Sequence, residues 1–112
     1  MRVNITARHF KAPNNLKEFA EKKVQKLKRY YDGIIVCEIL LDHEKLTQIA
    51  DISIKVYGQN LKAVEKTEDI FKSIELSVDK LERQLKKYKE KLRHHKHDKG
   101  EMTETEPPVE QE

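Results

Sequence analysis

At 112 residues the chain supports one compact domain, and its 38% charged and 37% apolar residues allow one modest core under a heavily charged surface. No segment approaches the roughly 18 apolar residues of a membrane-spanning helix. Met1–Thr6 lacks the apolar run of a secretory signal, so a cytoplasmic protein without membrane contact is expected. The net charge of +3 hides an asymmetry: residues 98–112 hold six acids against one base, Lys99, a net of −5, which leaves +8 on residues 1–97. A basic body with an acidic tail points to a polyanionic partner.

Along the chain, Val3, Ile5 and Ala7 alternate with Asn4, Thr6 and Arg8, the period of a half-buried first strand. Pro13-Asn14-Asn15 marks a helix start, where asparagine is a good cap and proline is tolerated. Leu16, Phe19, Ala20, Val24, Leu27 and Tyr31 then recur at three- and four-residue steps, which makes one apolar helix face. Lys22, Lys26 and Arg29 fall away from that face, while Lys23 lies at its edge and must snorkel outward. Asp32-Gly33 reads as the stop, with glycine in the left-handed conformation that ends helices.

Ile34–Leu41 is an apolar run of strand length. It contains the single cysteine, Cys37, which reads as a packed side chain and suits a reducing compartment. The polar stretch Asp42–Gln48 reads as a loop. Ala50, Ile52, Ile54 and Val56 alternate with Asp51, Ser53, Lys55 and Tyr57, the clearest strand pattern in the chain. Gly58-Gln59-Asn60 predicts a hairpin turn and Leu61–Lys66 a fourth strand. Thr67-Glu68-Asp69 offers a cap and acids suited to a helix dipole. Ile70, Phe71, Ile74, Val78, Leu81, Leu85, Tyr88 and Leu92 follow at helical spacing. From Glu68 to His95 this helix spans about 42 Å at about 1.5 Å per residue. Short strands cannot cover that length, so its lysine-rich C-terminal turns should project past the core. Two units result: residues 1–97 as an α+β domain and residues 98–112 as an acidic, disordered tail.

The order β-α-β-β-β-α places a crossover helix between strands one and two, which should therefore run parallel, while strands two to four form an antiparallel meander. The expected fold is a two-layer α+β sandwich: a four-stranded mixed sheet with both helices on one face. Its α-β-β-β-α portion has the element order of double-stranded RNA-binding domains, which read shape through phosphates and 2′-hydroxyls.

Signals for chemistry are poor, and neither catalysis, nor a metal, nor a cofactor is expected. The chain has no glycine-rich phosphate loop, no CxxC pair and no nucleophile elbow. Asp42-His43-Glu44 sets three titratable groups side by side, but neighbours in a loop rarely converge. His94, His95 and His97 lack the carboxylate or thiol spacing that would complete a metal site. The strong feature is charge. Lys80, Arg83, Lys86, Lys87, Lys89, Lys91, Arg93 and Lys96 stand against only Glu82 and Glu90 between residues 80 and 97. An ordinary solvated face mixes signs more evenly. Lys22, Lys23, Lys26, Lys28 and Arg29 add a second basic face on the first helix, so two such faces could flank one groove.

The run Asp79-Lys80-Leu81-Glu82-Arg83-Gln84-Leu85-Lys86-Lys87-Tyr88-Lys89-Glu90-Lys91-Leu92 resembles the signature of the ribosome hibernation promoting factor family, which includes the ribosome-associated inhibitor also called protein Y. Asn4-Ile5-Thr6, Lys23, Lys26, Glu44-Lys45, Asp51 and Asp69 fit the same family, and the resemblance covers roughly residues 1–95. It implies this same fold and a protein that binds the small ribosomal subunit between head and body. There it would overlap the mRNA path and the A- and P-site tRNAs and hold ribosomes inactive in stress or stationary phase. By motif match the ribosomal RNA contacts would be Lys23, Lys26, Lys80, Arg83, Gln84, Lys87, Lys89 and Lys91; Lys86 and Arg93 join by position and charge. The implied partners are the small subunit, its RNA and 70S ribosomes, with a monomer expected when free.

The family's long form carries a C-terminal domain that pairs ribosomes, and from the length of this sequence the short form, without that domain, is expected. The acidic tail resembles the extension of protein Y, which opposes pairing, so both outcomes stay open. A general structured-RNA-binding protein or RNA chaperone is the alternative. A small RNA-processing enzyme built on Asp42, His43 and Glu44 is a third reading.

Overall fold

The computed structural model describes residues 1–97; segment 98–112, expected above to be a separate tail, lies outside the described residues. Six elements follow in order: β1 (Arg2–Ala7), α1 (Asn14–Tyr30), β2 (Val36–Glu44), β3 (Thr47–Val56), β4 (Gln59–Thr67) and α2 (Ile70–His97). The sheet has spatial order β1-β2-β3-β4, with β1 parallel to β2 and the other pairs antiparallel. This is the expected four-stranded mixed sheet with two helices.

Strand alternation sets the two sides of the sheet. Cys37, Ile39 and Leu41 of β2, Ala50, Ile52, Ile54 and Val56 of β3, and Ala63 of β4 are buried in one core. The same core takes Leu16, Ala20, Val24 and Leu27 from α1, and Ile74, Val78, Leu81, Leu85 and Tyr88 from α2. Burial holds the Cys37 thiol in its neutral form, its pKa pushed up to about 12. Two small residues let α2 approach β3 closely: buried Ser73 and Ser77 donate to the carbonyls of Gln48 (2.8 Å) and Ala50 (3.0 Å). The start of α2 is capped by Asp69, whose Oδ1 accepts the N–H of Phe71 at 3.0 Å.

Several local expectations are corrected. Pro13, not an asparagine, holds the cap position of α1, and its carbonyl accepts from the amides of Leu16 and Lys17 at 3.1 Å. Gly33 is not in the left-handed region; α1 ends with Tyr31 in extended backbone (φ −159°). Space is tight at Gly33, where a Cβ would lie 2.5 Å from the Tyr31 ring, so that ring would have to shift to admit a side chain. The polar stretch Asp42–Gln48 is not a loop. Both strands run through it in register down to Glu44 opposite Thr47, which leaves Lys45-Leu46 as a two-residue turn with Lys45 at φ 57°. Polar residues in edgeward strand ends satisfy their backbone in the ladder, so polarity alone marks exposure and not a break in pairing. The next turn is likewise tighter than expected, Tyr57-Gly58, with Val56 opposite Gln59 and Gly58 at φ 85°.

Candidate nucleic-acid interface

Helical spacing makes two ridges along α2, and each begins against a neighbour and then outruns it. One ridge, Lys80, Gln84, Lys87 and Lys91, follows β4. Lys80 Nζ meets Glu65 at 2.6 Å and Gln84 Nε2 donates to the Lys62 carbonyl at 2.9 Å. Lys87 and Lys91, both exposed, continue it towards the helix end. The other ridge follows α1. Phe71 meets Phe19 edge-on at 4.9 Å, Glu75 meets Lys23 at 3.3 Å, and Lys86 lies 5.5 Å from the centre of the Tyr30 ring. Lys89 carries that ridge onward by the same spacing. Arg83 is exposed on the outer face between the two.

Tyr88 is the last buried apolar residue of α2, and Leu92, one turn on, is 36% exposed. The helix thus leaves the core where lysines accumulate: Lys86, Lys87, Lys89 and Lys91 against the single acid Glu90. The expected projection of these turns is seen as far as Leu92. Phosphate groups are the natural ligands of such a surface, since flexible ammonium groups neutralise a backbone without reading its bases.

The seam between the helices differs from the expected groove between two basic faces. Along α1, Phe19, Lys23, Lys26 and Tyr30 form the ridge that faces α2, but α2 answers with Glu75, Asp79 and Glu82. Lys23 is engaged there with Glu75 and also lies 5.5 Å from the Phe19 ring centre. The Tyr30 hydroxyl is held above its ordinary pKa chiefly by its hydrogen bond to Glu82. The basic character therefore concentrates at the protruding end of α2. The sequence-predicted set divides accordingly: Lys23 and Lys26 lie on the α1 ridge that faces α2, Lys80 and Gln84 brace α2 against β4, and Arg83, Lys86, Lys87, Lys89 and Lys91 gather on its far half, while the Arg93 side chain is outside the described residues.

Two features escaped sequence reasoning. Tyr57 had the periodicity of an ordinary outward strand residue; its place beside Gly58, at the tip of a turn, was the available signal. The second is convergence at the opposite end of the sheet. His9, at φ 68°, places Nδ1 2.8 Å from Asp42 Oδ1, and His43 Nε2 lies 3.0 Å from the His9 carbonyl. Hydrogen bonding to His9 holds the Asp42 carboxyl below its ordinary range, the His43 backbone N–H adding to this. Asp42 and His43 therefore meet at His9, in the loop after β1, and not at Glu44. Among the described residues no group of three or more His, Cys, Asp or Glu is arranged to hold a metal ion; His94, His95 and His97 lie where side chains are outside the described residues.

The fold and this surface define a two-layer α+β protein with a polybasic helix end, a class suited to RNA phosphates. Comparison with known proteins gives the family. The model for the Sigma 54 modulation protein / S30EA ribosomal protein family matches residues 3–93, and the chain belongs to that family. It is 37% identical over 95 residues to the ribosome hibernation promoting factor of Klebsiella oxytoca and 36% identical to that of Escherichia coli K12. Each alignment covers 85% of this chain and 100% of the relative. Among solved structures, a ribosomal subunit interface protein from Coxiella burnetii superposes with a TM-score of 0.76 at 31% identity, covering 80% of this chain and 99% of that one. The N-terminal domain of Thermus thermophilus Protein Y superposes with a TM-score of 0.74 at 26% identity, covering 79% and 99%.

Proposed function

We propose that this protein is a non-enzymatic, cytoplasmic ribosome hibernation factor that binds the small ribosomal subunit near the mRNA channel and the A- and P-site tRNA positions. By occupying that space it inhibits translation in stress or stationary phase. The observation that carries the reading is the projecting basic half of α2, in a chain whose relatives are named for ribosome hibernation and the subunit interface. The contacts proposed are Arg83, Lys86, Lys87, Lys89, Lys91 and Arg93, with Lys23, Lys26, Lys80 and Gln84 at their flank. The ion pairs of Lys23 and Lys80 are exposed enough to exchange an internal carboxylate for a phosphate, since surface pairs are worth only about 0–1 kcal/mol. Residues 1–97 form the ribosome-binding unit, a monomer when free, which needs no metal or cofactor; the acidic segment 98–112 is a separate tail.

Co-sedimentation with 70S ribosomes and separated subunits through a sucrose gradient tests this. Stoichiometric migration with the small subunit is expected, and the ribosome profile will report whether paired particles form. Protein that stays at the top of the gradient at low salt would refute the proposal. If an unrelated duplex RNA competes as well as small subunits at equal salt, the general RNA-binding alternative replaces it. With about six phosphates neutralised, log K should fall with log salt at a slope of about −4 to −5.

A further inference from the structure

We infer that Tyr57 is a stacking platform for one unpaired RNA base, fixed beside the phosphate-binding end of α2. The inference rests on the RNA-binding reading above and adds a contact of a different chemical kind. Tyr57 is 82% exposed, so its ring contributes little to the core. Its backbone is nevertheless held from two sides. The ladder closes at Val56 opposite Gln59, which leaves only Tyr57 and Gly58 in the turn. The Tyr57 carbonyl accepts the hydroxyl proton of buried Tyr88 at 2.7 Å. Gly58 supports this geometry through conformation and not space: it sits at φ 85°, and a Cβ there would meet nothing within 4 Å. Tyr88 is steadied in turn by the Tyr31 ring, edge-on at 5.5 Å.

The result is an aromatic ring in solvent on an immobile root. That is the arrangement in which stacking loses little conformational entropy, because only two side-chain torsions need be fixed. Its location supplies the ligand. The residue that anchors Tyr57 stands between Lys87 and Lys89 on α2, with Lys91 one turn on. A strand whose phosphates lie on those lysines passes the ring, and single-stranded RNA presents splayed bases that stack on aromatic side chains. The other hairpin tip makes the contrast. Leu46 is 83% exposed, but it is aliphatic and sits at the end of the sheet away from the lysines, so the same argument does not apply to it.

The test uses the full chain, purified small ribosomal subunits and the substitutions Y57F, Y57W, Y57L and Y57A, with R83A/K87A/K91A as a control for phosphate binding. Y57F and Y57W should keep wild-type affinity. Y57L and Y57A should bind about 5- to 150-fold more weakly, the range given by about 1–3 kcal/mol per stacked base at about 1.4 kcal/mol per tenfold. Their salt slope should stay unchanged, because stacking releases no counterions, whereas the triple variant should show a shallower slope. The chain has no tryptophan, so Y57W also reports alone, and its emission should be quenched by the subunit. Wild-type affinity for Y57A, beside a weakened triple variant, would overturn the platform and leave RNA binding standing. Y57L equal to Y57F would overturn it in favour of an apolar protein contact, and absence of binding by the wild type would remove both readings.

Discussion

At the end of the sheet where α2 begins, polar groups close on one another: Asp42 receives His9 and the His43 amide, and Asp69 caps the helix through the Phe71 amide. At the opposite end, where α2 leaves the core, the pattern is inverted. Four lysines crowd residues 86–91 with one acid among them, and an exposed tyrosine stands on a two-residue turn. Both ends are polar and both sit on the same two layers. Polar groups of opposite sign that meet within the chain build structure; a local excess of one sign raises the surface potential and favours ligands of the other. Some changes should disturb both ends, and others only one.

The largest effect should come from the core that joins them. Leu81 is fully buried midway along α2, and Leu81→Ala should lower stability by about 2–5 kcal/mol, since a cavity adds to the lost burial. Urea denaturation measures this, and binding should fail only to the extent that the protein unfolds. Normal stability would show that α2 is not the shared support of the two ends. A second change should touch the basic end alone. Replacing Arg83, Lys87 and Lys91 with alanine removes no core contact, as all three are exposed. The urea midpoint should hold while the log–log salt slope of ribosome binding becomes shallower by about 2–3, from about 0.7–0.9 per phosphate contact. An unchanged slope would move the interface elsewhere. A third change should touch only the capped end: Asp69→Ala removes the acceptor for the Phe71 amide and should destabilise by about 1 kcal/mol without altering ribosome affinity.

Much of the basic end was legible in advance, because charge excess and helical period are both local properties of a sequence. The layers and strand order were legible for the same reason, as alternation in β3 and spacing in α2 state which faces are buried. What escaped was non-local. Asp42-His43-Glu44 reads as a loop because polar residues resemble one in isolation, while its ladder partners at Ile49, Gln48 and Thr47 become visible only once the hairpin closes. Gly33 carries the familiar signature of a helix stop, yet what crowds the position is the Tyr31 ring. Bracing likewise depends on partners distant in sequence: Lys23 and Lys80 belong to the same basic pattern as Lys91 until Glu75 and Glu65 are set against them.

The smallest effect concerns the pairing of Asp42 and sharpens the contrast through pH. Its carboxyl is held below the ordinary range by His9 first, with the His43 amide adding and burial opposing. A depressed carboxylate stabilises the folded state above its unfolded value of about 3.9 and loses that contribution as pH falls through the folded value. Asp42→Asn abolishes the titration but keeps the shape and one acceptor oxygen. The wild type should therefore be slightly the more stable near neutrality, and the gap between their urea midpoints should close as the solution is taken below about pH 4. Ribosome affinity at neutral pH should be the same for both proteins, because the His9–Asp42 contact lies at the end of the sheet away from the lysines. A gap that persists in strong acid would mean that the carboxylate contributes through packing and not charge. A loss of binding in the variant would mean that the two ends are coupled, which the separation of self-paired from outward-facing polarity does not allow.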